Sequence, residues 1–187
     1  MQAKVLALAL ALLATLYAPM AAAATPLPCT PIEGSAQADV QRLADEVRAH
    51  DGFYARLVAL QGQPTACKGR AARDQDQDAE PGWLEFSWTD GSTLEQSFLL
   101  PETFVLRYSN PQGFTRADVV IAAVRDHAGK RGLHIDWEHP KTENGVAHAG
   151  AARTVEYQDA AVGVNGFVRF MYDARQRLVA ASLSVAL

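Results

Sequence analysis

The hydrophobic period of this chain changes partway along it, and that change excludes most simple architectures. Up to about residue 60 the apolar residues Val40, Leu43, Val47, Tyr54 and Leu57 recur at spacings of three, four and seven, which places them on one helical face. From Leu84 the spacing is two. Leu84, Phe86 and Trp88 alternate with Glu85 and Ser87, as in a strand with one buried side. A helical bundle has no place for the second pattern and a β-sandwich none for the first, so helices must pack on a sheet.

The remaining elements follow from turn and cap chemistry. Ser35 is the expected N-cap of a helix reaching about Leu60, with Gly52 its weak point and Gly62 and Pro64 its end. Residues 68–82 read as polar and irregular. A three-residue loop from Thr89 to Gly91 pairs Phe86 with Leu94 and puts Gly91 in the left-handed position. Thr93 to Leu99 and Thr103 to Tyr108 then form two further strands. Thr115 is the expected cap of a second helix, with Asp118 in its first turn and Phe114 and Val119 spaced as a hydrophobic staple. Val120, Ile121 and Val124 face inward, and Gly132 stops the helix. Leu133 to Glu138 reads as a short strand, and residues 152–158, 164–172 and 177–186 as three more. The last two form a hairpin pairing Phe170 with Val179. The prediction is an α+β domain of order α-βββ-α-ββββ, with two helices on one face of a mainly antiparallel sheet of about six or seven strands. At an offset of 84, Phe86, Trp88 and Leu94 match Phe170, Tyr172 and Leu178, so a duplicated α-βββ unit is also on offer.

The ends of the chain bear on its compartment. Lys4 precedes an apolar run from Val5 to Leu16, Pro19 ends the run, and Ala22 to Ala24 form a small-residue cleavage site. Residues 1–24 therefore read as a secretory signal peptide, too short in its apolar part to span a bilayer, and 25–187 as a single domain. The two cysteines, Cys29 and Cys67, are expected to form one disulfide, as suits a periplasmic or secreted protein. The bond would close a loop of about 38 residues, worth roughly 4 kcal/mol in the chain-entropy model. The net charge of −4 argues against nucleic acid, and the short basic cluster Lys68, Arg70, Arg73 runs straight into acidic residues. No second apolar segment is long enough to cross a membrane.

Two acidic stretches raise the question of metal. Asp74, Asp76, Asp78 and Glu85 occupy positions 1, 3, 5 and 12 of an EF-hand-like loop, the oxygen-rich spacing that calcium needs. Ala79 stands where that loop requires glycine, Pro81 removes an N–H, and a strand follows instead of a helix. In "HIDWEHP", His134, Asp136 and Glu138 share one strand face; neighbours about 6.6 Å apart could share zinc as a pair, with His139 and His148 completing the site, while the outer two, about 13 Å apart, do not easily converge. Asp136 and Glu138 could also act as an acid–base pair, although residues on one strand face rarely flank a substrate. The chain has no G-x-S-x-G elbow, no H-E-x-x-H, no P-loop and no dinucleotide fingerprint. His127 reads as a helix-boundary residue with a satisfied ring, and His50 as solvent-facing. Trp83 and Trp137, beside charged loops, mark candidate binding surfaces together with His139 and His148. The expected function is an exported, non-catalytic domain that binds another protein in the envelope or outside the cell, without cofactor. An inhibitor or immunity-type partner of a secreted enzyme is its concrete form. The alternatives are a metal-assisted hydrolase at His134, Asp136 and Glu138, and a calcium-stabilised module.

Overall fold

A computed structural model of the chain describes residues 26–72, 81–100, 103–144, 151–160 and 165–186. The signal-peptide reading of 1–24, the acidic residues Asp74, Asp76 and Asp78, and His148 fall outside them.

The long first helix is in fact two, α1 (Gln37–His50) and α2 (Gly52–Gln61). The break falls at Asp51, not at the neighbouring glycine. Asp51 is extended, donates its N–H to Val47 O, and its carboxylate caps α2 by accepting the Tyr54 N–H at 2.7 Å. The predicted caps Ser35 and Thr115 each lie one residue too early. Ala36 and Arg116 hold the N-cap positions, and neither makes a side-chain cap bond. Ser35 is drawn out of the helix by a tight turn, in which its N–H meets Ile32 O after Glu33 and Gly34 at positive φ.

Among the described residues nine strands form one sheet: β1 (Thr30–Pro31), β2 (Ala66–Arg70), β3 (Gly82–Ser87), β4 (Thr93–Leu100), β5 (Thr103–Ser109), β6 (Thr142–Asn144), β7 (Arg153–Gln158), β8 (Asn165–Tyr172) and β9 (Leu178–Ala186). A third helix, α3 (Ala117–Lys130), separates β5 from β6. The order across the sheet is β1-β2-β3-β4-β5-β9-β8-β7-β6, with only β1–β2 parallel. The three strands beyond the predicted set, β1, β2 and β6, are short and carry no apolar alternation. In β2 one inward position is Gly69, and a Cβ there would run into the Trp83 carbonyl and Leu84. Conversely, Leu133 to Glu138 is not a ladder strand. Its one bridge is Ile135 to Asp159, because Asp136 turns the chain by accepting from the Glu138 N–H at 3.0 Å.

The β3–β4 hairpin pairs Phe86 with Leu94 and holds Gly91 at φ 80°, the predicted register. The β8–β9 hairpin departs from prediction: Phe170 pairs with Ala181, not Val179. An irregularity at Met171/Tyr172 absorbs a residue, and Asp173 closes the turn by accepting the Arg177 N–H at 2.9 Å. The topology repeats a helical segment followed by four strands: α1 and α2 before β2–β5, then α3 before β6–β9. The last strands of the two units, β5 and β9, pair antiparallel at the centre. This arrangement matches β3 to β7 and β4 to β8. The offset of 84 instead set β3 against β8, so the sequence match joined strands that are not equivalent.

All three helices cover one face. Val40, Ala44, Val47, Phe53, Leu57, Val120 and Val124 pack with Phe86, Leu94, Leu106, Leu183 and Val168 in one core. Cys29 and Cys67 are bonded, with Cα atoms 4.5 Å apart, and the bond ties the segment before β1 to β2. The same segment is held to α1, where Gln37 donates to Cys29 O at 2.7 Å and Gln41 accepts the Cys29 N–H at 3.1 Å. Among the described residues no helix is long and apolar enough to cross a membrane.

Candidate binding surfaces

His134, Asp136 and Glu138 are exposed while Ile135 and Trp137 turn inward, so the alternation persists without a ladder. The His139 imidazole lies 2.8 Å from Asp136 in an exposed pair, which holds that carboxyl below its usual range with help from the Glu138 N–H. Among the described residues no three His, Cys, Asp or Glu side chains gather as a metal site would need. Glu85 is engaged elsewhere, 3.0 Å from Lys68. Trp83 and Trp137 lie on opposite faces of the sheet. Trp137 packs against the core between Arg125, 4.8 Å over its ring, and Tyr157 at 5.2 Å. Trp83 stands on the face without helices, with Lys68 5.7 Å over its ring. They do not form one surface.

The helix-free face has an order that only strand register reveals. Lys68, Glu85, Glu95, Arg107, Ser182, Arg169 and Glu156 are successive cross-strand partners from β2 to β7. Beside this row runs another, Trp83, Ser97, Val105, Ser184 and Phe167. The outer charges are paired, Lys68 with Glu85 and Arg169 with Glu156. The inner ones are not so settled. Glu95 sits between Glu85, a like-charge neighbour that costs a few tenths to about 1 kcal/mol, and Arg107, an opposite-charge neighbour that offsets a similar amount. Arg107 is half-buried, and its Nε has no partner among the described residues. Ser182 and Ser184, both half-buried, put small side chains at the centre of the face beside Arg107.

The helical face holds a different feature. A cleft of about 970 Å³ opens between α1, the start of α2 and the end of α3, with β4 as its floor. Leu43, Val47 and Phe98 form apolar walls. On the floor, Gln96 interrupts the inward row Leu84, Leu106, Leu183, Val168. Gln96 is completely buried, and neither its Nε2 nor its Oε1 meets a partner among the described residues. An unsatisfied buried amide costs about 1–3 kcal/mol by mutational measure. His127 lies beside it, its ring 5.5 Å from Phe53 and 6.0 Å from Phe104, and its Nε2 is also buried and unpartnered. The expectation of a satisfied ring is therefore corrected: Phe53 and Phe104 flank the imidazole, and among the described residues no acceptor or donor meets Nε2. Burial pushes His127 below the usual histidine range, against the pull of Asp51.

Sequence reasoning missed both features. The signal for Gln96 was present, since the Phe86–Leu94 register puts Gln96 at an inward position of "TLEQSF". The charge row needs the order of strands across the sheet, which no local pattern carries. Set against protein families, curated proteins and solved structures, the chain matches none.

Proposed function

We propose that the chain is an exported, non-catalytic binding domain whose partner is another protein, docked on the helix-free face of the sheet. The observation that supports this most is the centre of the charge row, where Glu95 lies between Glu85 and Arg107 and the Arg107 Nε has no partner among the described residues. A partner offering a carboxylate over the Arg107 guanidinium and a cation over Glu85 and Glu95 would complement the row. Trp83 at the rim adds an aromatic contact of the kind that anchors interfaces. The concrete version is an inhibitor or immunity-type partner of a secreted or envelope enzyme. A periplasmic or secreted location suits the Cys29–Cys67 bond, which persists in oxidising compartments, and the leader-like N-terminus.

Charge reversal tests this reading. Arg107→Glu and Glu95→Arg should each weaken capture of one specific envelope protein by a large factor, since like charges juxtaposed across an interface cost several kcal/mol. Each should leave the melting temperature within a few degrees of wild type. If the partner is an enzyme, wild-type chain should reduce its activity stoichiometrically. Equal capture by wild type and both variants would overturn the assignment of this face.

A further inference from the structure

The cleft over Gln96 lies on the opposite side of the sheet, and an inference from it is independent of the protein-docking reading. We propose that this cleft binds a small neutral ligand with an apolar body and a planar amide head, such as a carboxamide, a lactam or a peptide amide. The Gln96 head offers a donor and an acceptor in one plane, both unused and both buried. An amide answers both at once, whereas a carboxylate only accepts and an ammonium only donates. His127 Nε2 supplies a third polar contact at the same floor. Leu43, Val47 and Phe98 would enclose the apolar body.

The rim explains why the ligand is neutral. Its charged groups are already engaged within the protein. Glu46 lies 3.7 Å from Arg42, and Lys130 2.9 Å from Asp126. Asp51 caps α2 and lies 3.7 Å from Arg131, whose guanidinium stacks 4.2 Å over Phe104. Among the described residues the rim carries both signs, Glu46 and Asp51 against Lys130 and Arg131 with His50 beside them, so no single sign of charge singles out an ion. Gly52 adds room at the mouth, since a Cβ there would meet nothing within 4 Å.

The test uses N-acetyl-phenylalanine amide as probe, with N-acetyl-phenylalanine as its carboxylate counterpart. Binding is read from the side-chain NH₂ resonances of Gln96 in wild-type protein and from thermal melting. The amide should shift those resonances and raise the melting temperature. The carboxylate should bind about tenfold or more weakly, and Gln96→Leu should fold while losing affinity by a similar factor. An amide that leaves the Gln96 resonances unmoved would overturn the site. A carboxylate that binds equally well, or a Gln96→Leu protein with undiminished affinity, would overturn the ligand class. Because the resonances are read on wild-type protein, the test of the site stands even if the variant fails to fold, and partner capture on the other face is unaffected by it.

Discussion

Gln96 occupies a position where its sheet neighbours on both sides are leucines, Leu84 and Leu106. Its amide is a cost to the isolated fold, so Gln96→Leu should raise the unfolding free energy by about 1 kcal/mol or more, read from urea melts. A lower value would mean that the amide is satisfied in solution and fits its place. His127 gives the residue scale a pH signature. Burial lowers its pKa, the carboxylates Asp51 and Asp126 pull it up, and Arg131 and Lys130 push it down. As pH falls through the ordinary histidine range near 6.5, the unfolded chain takes up a proton that folded His127 resists. The contribution of neutral His127 is thus present above that pH and lost on going down toward its depressed folded pKa. Comparing urea midpoints at neutral pH and at about pH 5.5, His127→Phe should lose less stability than wild type. Identical losses would contradict the sign.

At the scale of elements, local chemistry decided what the sequence disclosed. The 3.6-residue and two-residue periods were legible because whole faces of α1, α2, β3, β4 and β5 are apolar, and Gly91 reported its turn because only that residue type is at ease with φ 80°. The strands β1, β2 and β6 were not legible: β1 and β6 are only two and three residues long, and β2 puts a cysteine and a glycine, Cys67 and Gly69, at its inward positions. The α1–α2 break was placed at Gly52 by propensity but is made by the Asp51 cap. Asp51→Ala should therefore cost about 1 kcal/mol and loosen the start of α2, visible as faster amide exchange at Tyr54. Unchanged exchange at Tyr54 would argue against the cap. On β8, a Cβ added at Gly166 would collide with Leu133, which packs against the strand there. Gly166→Ala should destabilise by about 1–3 kcal/mol through overpacking, measured by denaturant melts.

For the whole molecule, the class of fold and the disulfide were readable from periods and from cysteine number, while the sites were not. The charge row joins residues from β2 to β7 that are far apart in sequence, and the cleft is shared by three helices and a strand. Both exist only once the two helix-and-strand units meet at β5 and β9. The Cys29–Cys67 bond closes 38 residues of chain, and removing it with Cys29→Ser and Cys67→Ser together should cost roughly 4 kcal/mol, read from the urea midpoint. A loss well under 1 kcal/mol would mean that β1 is held by its contacts with α1 and β2 alone. The account's central claim is that the helix-free face meets another protein. It is tested most directly by placing a photo-crosslinking amino acid at Ser182, in the middle of that face, and at Ala122, exposed on α3, and irradiating cells of the native host. The account predicts a single crosslinked protein from position 182 and none from 122. A crosslink from 122 alone, or from neither position, would contradict it.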